Sequence, residues 1–210
     1  MIFIKFLYFK FNVNMLETVL LFDENKPAPS LYEILIYTVV ILVSTLIIFS
    51  VLCKVLRIDT DKPLDTHQNN EYEKWDKNGL SPAKILVTEV LSSTLYAPIA
   101  EELVFRVLLT KFLLVKGLGI NKHISILIEA ILFGSLHLTN QVYSNQDKNF
   151  TYLQSLSATI AGIVSGYVYI QSNSILPSLF AHMINNGIAS IEEVIGYNNY
   201  LKNKKSKNEN

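Results

Sequence analysis

Ala97-Pro98-Ile99-Ala100-Glu101-Glu102-Leu103-Val104-Phe105-Arg106 sets two adjacent carboxylates and an arginine inside an apolar run. Leu91 to Tyr96 precede it without a charge, and Val107 to Leu109 follow. A surface helix spreads its charges along one face; here they are bunched at the centre. An unpaired buried charge is expensive, or is neutralised by a shift in its pKa. Ionisable groups within a membrane segment therefore point to function by default. On a helix, Glu102 and Arg106 are at i,i+4 and can pair. Glu101 points about 100° away from Glu102, so it can face a different partner. One acid is then paired for structure and the other is free for chemistry. The plainer reading, a soluble helix with a surface ion pair, is disfavoured by the apolar flanks.

Composition agrees with a membrane setting. Half of the 210 residues are apolar and 17% are charged, against ~25% charged in typical soluble domains. The mean hydropathy is +0.30, and the length fits about one domain. The formal net charge of zero suggests no nucleic-acid partner. Cys53 is the lone cysteine. It cannot form an internal disulfide and reads as a small packed apolar residue.

The pattern predicts an all-α fold, a polytopic transmembrane helical bundle of five or six spans. Met1 to Phe22 is apolar and aromatic but interrupted by Lys5, Lys10 and Glu17. It reads as a poor first span or an interfacial helix, with Met15 an alternative start. Ile34 to Cys53 is an uncharged run about one helical crossing long, closed by Lys54 and Arg57. Ile58 to Leu80, with Trp75, reads as a polar loop. Ser81-Pro82 opens a helix running to about Leu118, with Pro82 in its first turn and a kink or tilt expected at Pro98. Ile124 to Leu138 is the next helix, and Thr139 to Asn149 a polar loop. Two further spans follow, the second about Ile175 to Ile195. The first carries Ala158, Gly162 and Gly166, a face of small residues suited to close helix contact. Three units result: residues 1–80, with one span and the polar loop; a core at 81–198; and a lysine-rich tail at 199–210. The tail reads as solvated and cytoplasmic by its lysines.

Several polar groups fall on spans that lipid would otherwise surround: Glu101, Glu102 and Arg106 on one, Glu129 and His137 on the next, His182 and Asn186 on the last. Phe133 and His137 are at i,i+4, as are His182 and Asn186, so each pair shares a helix face. Lipid cannot satisfy these groups, and they need a shared polar pocket. Glu129 reads either as a further pocket residue or as a solvated group near the interface, the second being favoured.

The ordered set Glu101-Glu102-x-x-x-Arg106, Phe133-x-x-x-His137 and His182-x-x-x-Asn186 resembles the three signature motifs of the CAAX protease and bacteriocin-processing (CPBP, or Abi) intramembrane proteases. It is similar to their type II CAAX prenyl endopeptidase branch. Val107 stands where the family often has glycine. The resemblance implies that Glu101, with His137, activates the hydrolytic water. His182 and Asn186 would bind the oxyanion, and Glu102, Arg106 and Phe133 would support the pocket. It also leaves a second arrangement open, a metalloprotease in which Glu101, His137 and His182 hold zinc. A carboxylate in an apolar pocket suits general-base work, asparagine is a usable oxyanion donor, and a Glu/His/His set is an acceptable zinc ligand set.

The expected function is an intramembrane endopeptidase acting on a protein or peptide within the lipid membrane, with prenylated CAAX proteins, trimmed of their C-terminal tripeptide, as the candidate substrate. Two alternatives compete. A non-catalytic membrane immunity or scaffold protein has no need to retain Glu101, His137, His182 and Asn186. A small ion or proton transporter also places carboxylates and histidines in membranes, but more naturally shows internal repeats, and none is visible.

Overall fold

The computed structural model describes residues 18–143 and 146–208. Most of the 1–22 segment read as a poor span or interfacial helix, including the Met15 alternative, lies outside the described residues. The described residues form helices joined by short connections and contain no strand; one isolated antiparallel bridge joins Leu21 to Ser174.

Helix α1 spans Leu31–Leu56. Ser30 starts it with a reciprocal cap: Glu33 N–H donates to Ser30 Oγ, and Ser30 N–H donates to the Glu33 carboxylate at 2.8 Å. Two of the orphan donors of the first turn are satisfied this way. Arg57, in the left-handed conformation, stops the helix. Ile41 packs against Val168 and Ala181, while Leu35, Val39, Leu46 and Ile47 face outward. Such a surface would drive aggregation in water and is at rest in lipid.

Residues 58–80, expected to be a loop, contain helix α2 (Asp61–Lys77). Its mixed charges support a helix by pairing at i,i+3 and i,i+4: Glu71 with Lys74 at 3.4 Å, and Glu73 with Lys77 at 3.5 Å. Its apolar side docks on distant residues. Tyr72 packs with Ile85 and Tyr197, and Trp75 meets the Tyr197 ring edge-on at 5.4 Å. Trp75 is therefore a packing residue.

The long helix through the Glu-Glu stretch is a chain of four windings: α3 (Pro82–Glu89), a π-helical segment (Val90–Tyr96), α4 (Ala97–Glu102) and a second π-helical segment (Leu103–Gly117). Pro98 lies in the first turn of α4, so the interruption expected there takes the form of widened turns on either side.

Helix α5 (Lys122–His137) is followed by the single turn α6 (Asn140–Tyr143), inside a stretch expected to be loop, and by α7 (Lys148–Ser172). The small-residue face works as expected. A Cβ at Gly162 would sit 3.0 Å from Ala130 of α5, and one at Gly166 2.9 Å from Ile126. Helix α8 (Leu176–Asn208) continues through the tail read as solvated, and Lys204 pairs with Asp76 of α2.

Among the described residues three helical stretches are long and apolar enough to cross a membrane: Leu31–Leu56, Lys122–Tyr143 and Lys148–Ser172. Residues 82–117 and the first half of α8, which carry the first and third polar motifs, pack among them, and the Phe133/His137 motif lies on α5 itself. The 18–27 segment is strapped to this body. Asn173 at the end of α7 accepts from Asp23 N–H at 2.7 Å and donates to Asp23 O at 3.0 Å. The buried Lys111 ammonium donates to the carbonyls of Thr18 and Leu21 and to Glu24.

Candidate active site

Glu101 and Glu102 end α4, where the winding changes. Glu102 is buried, with its side chain 3% exposed, whereas that of Glu101 is 36% exposed. The i,i+4 pair forms as expected: Arg106 Nε lies 3.2 Å from Glu102 Oε2. Glu101 faces a partner other than Arg106, as its place on the helix allows, but Glu102 shares that partner. His182 of α8 turns both ring nitrogens to them, Nε2 at 3.5 Å from Glu101 and Nδ1 at 3.2 Å from Glu102. A third helix supplies a group that spans the angle between the two side chains.

For Glu129 the less favoured of the two sequence readings is the one the structure shows. Rather than a solvated interfacial group, it is fully buried and ion-paired to Arg106 Nη1. A guanidinium offers five donors, enough for two carboxylates. Arg106 therefore joins the second π-helical segment to α4 through Glu102 and to α5 through Glu129. Its guanidinium also lies over the Phe133 ring, 5.6 Å from the centroid.

Phe133 is the hub between the histidines. Its centroid is 5.1 Å from His137, 6.0 Å from His182 and 5.0 Å from Phe105. His137 Nδ1 is 3.0 Å from its own helix's Phe133 carbonyl. A carbonyl only accepts, so the neutral His137 ring carries its proton on Nδ1 and keeps the Nε2 lone pair. Asn186, one turn beyond His182, donates from Nδ2 to the Ser93 carbonyl at 2.9 Å. Ser93 Oγ meets Ser190 Oγ at 3.1 Å and Glu89 Oε2 at 2.9 Å.

Glu101, Glu102 and His182 are thus in direct contact, His137 joins them through Phe133, and Asn186 is anchored on the neighbouring π-helical segment. Among the described residues no hydrogen bond links His137 to Glu101. Nor are three His, Cys, Asp or Glu side chains gathered to hold a metal. With His182 turned to two carboxylates and His137 set across Phe133, the Glu101/His137/His182 set as it stands does not fit zinc. Sequence reasoning missed the Ser93 carbonyl, for which no side-chain pattern signals, and favoured the wrong position for Glu129, whose signal was an acid eight residues before His137 on a helix meeting Arg106.

A family profile described as type II CAAX prenyl endopeptidase Rce1-like matches residues 83–188, half of the chain, and takes in all three motifs. The chain belongs to that family. Comparison with curated proteins and with solved structures gives no match. The Rce1-like family comprises CAAX-type intramembrane proteases, so the chain is placed at family level among proteases that act on protein in a membrane. With its three apolar helices, this Rce1-like chain is an integral membrane protein.

Proposed function

We propose that this Rce1-like chain is a glutamate-dependent endopeptidase that cleaves a peptide bond with activated water, its catalytic core being residues 81–198. The observation that carries the reading is the contrast between two neighbouring acids. Glu102 is sealed into an ion pair, while Glu101 is open at the surface of the same polar cluster, against His182. A base must reach both water and substrate, and Glu101 is the acid placed to do so.

In this reading Glu101 takes a proton from water as the oxygen attacks the peptide carbonyl. His137, with its Nε2 lone pair free, orients that water from across Phe133. Asn186 donates to the developing oxyanion; His182, whose Nδ1–H faces Glu102, takes at Nε2 the proton that Glu101 removed from water, 3.5 Å away, and as the imidazolium donates it first to the oxyanion and then gives it to the leaving amine. Glu102, Arg106 and Phe133 hold these groups in place. The motifs offer no serine or cysteine nucleophile. Ser135 donates to its own helix at Ile131 O, and Cys53 is buried in α1; a covalent route needs a nucleophile within reach of its base.

The substrate class proposed is a prenylated CAAX protein losing its C-terminal tripeptide. It is supported by family membership and by the setting of the cluster among apolar helices. The lysine-rich end of α8 is proposed to lie on the cytoplasmic side, and labelling of a tail cysteine from outside intact cells would refute that. The function is tested by incubating purified protein with a farnesylated CAAX peptide, with and without chelator. Release of the tripeptide in both arms is expected; no release, or release abolished by chelator and restored by zinc, contradicts the metal-free reading.

A further inference from the structure

We propose that Pro98 is a positioning residue for Asn186, acting through the carbonyl of Ser93. The proposal rests on the reading of Asn186 as an oxyanion donor and names what aims it. In the π-helical segment Val90–Tyr96 the bonds run to the fifth residue on, and Ala97 N–H accordingly donates to Ser92 O. Ser93 O would meet Ala97 N–H in an α-helix and residue 98 in a π-helix. Ala97 is already engaged, and Pro98 has no N–H to offer. A carbonyl partly shielded from water and left without a partner is costly. The missing donor is supplied from another helix, by Asn186 Nδ2 at 2.9 Å.

The surroundings fit this handover. Helix α8 approaches the segment closely just beyond Asn186: a Cβ at Gly187 would meet Thr94 Cγ2 at 3.3 Å. One turn on, Ser190 Oγ donates to the backbone carbonyl of Asn186 at 2.9 Å and touches Ser93 Oγ at 3.1 Å. A carboxamide has two N–H donors on a planar group. Spending one on Ser93 O fixes the plane and the direction of the other. An oxyanion donor works by being aimed before charge develops, so an imino acid in the first turn of the helix that carries Glu101 would set the geometry of a group nearly ninety residues away in sequence.

The test restores the missing donor. Pro98→Ala returns an N–H to position 98, where it competes for Ser93 O and releases Asn186. With a farnesylated CAAX peptide, kcat is expected to fall ~10-fold or more, as for a catalytic group set about an ångström out of place, with KM within about twofold and thermal stability undiminished. The double variant Pro98→Ala/Asn186→Ala is expected to be no slower than Asn186→Ala alone, since residues acting as a unit are not additive. An α-hydroxy acid introduced at position 98, which like proline brings no N–H, should keep the parental kcat, and it decides the matter even where Pro98→Ala folds poorly. A readout independent of turnover is the side-chain amide of Asn186 in protein labelled with 15N-asparagine. Its bonded proton should be protected from exchange in the parent and lose that protection in Pro98→Ala. A slow Asn186→Ala protein beside a Pro98→Ala protein with parental kcat and a protected Asn186 amide overturns the role of Pro98 alone. A parental rate in Asn186→Ala overturns the oxyanion assignment itself.

Discussion

Arg106 and Glu129 form an ion pair between the second π-helical segment and α5 in which neither side chain reaches solvent. With Glu102 on the other side of the guanidinium, two carboxylates share one cation. Removing Arg106 would leave Glu129 buried without a partner and Glu102 with only His182 beside it, and breaking a buried pair in this way costs about 3–5 kcal/mol. Removing the charge of Glu129 leaves Arg106 balanced by Glu102. Thermal unfolding in detergent should therefore rank Arg106→Ala well below Glu129→Ala, and Glu129→Ala below Glu129→Gln. Equal losses in Arg106→Ala and Glu129→Gln would contradict this sharing of charge.

The contact between α5 and α7 should tolerate no bulk at Gly162. Its missing Cβ already stands 3.0 Å from Ala130, and a larger side chain must push the helices apart. Gly162→Leu is expected to destabilise the protein by about 1–3 kcal/mol, the usual cost of overpacking. Unchanged unfolding of this variant would mean that the two helices do not meet there.

Glu24 gives the fold an acid-sensitive strap. Its hydrogen bond from Lys111, helped by Lys116, holds its carboxyl well below the usual 4.5, at about 2. A depressed carboxylate contributes stability that is full above the unfolded value and fades as pH falls through the folded one. The stability gap between parent and Glu24→Gln should be widest above about pH 5 and close progressively towards pH 2. A gap of the same size at pH 2 and pH 7 would contradict the pairing.

The sequence carried the periodicities well and the partners poorly. The Ile34–Cys53 run, the start at Pro82 and the small face of α7 were legible because each depends on local composition. Helix α2 was not, because its charged sequence resembles a loop until Tyr72 and Trp75 meet Tyr197, more than a hundred residues away. In the site, Glu102 and Arg106 were legible at i,i+4. For Glu129 the sequence left a pocket and an interfacial position open, because nothing local shows that α5 comes against the free side of the Arg106 guanidinium. The helical angle between Glu101 and Glu102 was sound, but it could not anticipate a histidine from α8 inserted between them.

Glu102 should behave unlike its neighbour. Glu102→Gln weakens both the pair with Arg106 and the hold on His182 Nδ1. It is expected to lower thermal stability and activity together, whereas Asn186→Ala should cost about 10²–10³-fold in kcat, a loss larger than the roughly 1–3 kcal/mol of stability that leaving Ser93 O without its donor removes. A Glu102→Gln protein of parental stability would show that its charge is not needed for the fold.

The sharpest measurement is turnover of a farnesylated CAAX peptide by Glu101→Gln, taken beside its thermal unfolding. The side chain is open enough for the fold to spare its charge, yet it is the acid facing His182. We expect unfolding to match the parent and kcat to fall by about 10²–10⁴-fold, the usual loss on removing a general base. A Glu101→Gln protein that cleaves as fast as the parent would contradict the glutamate-dependent mechanism outright.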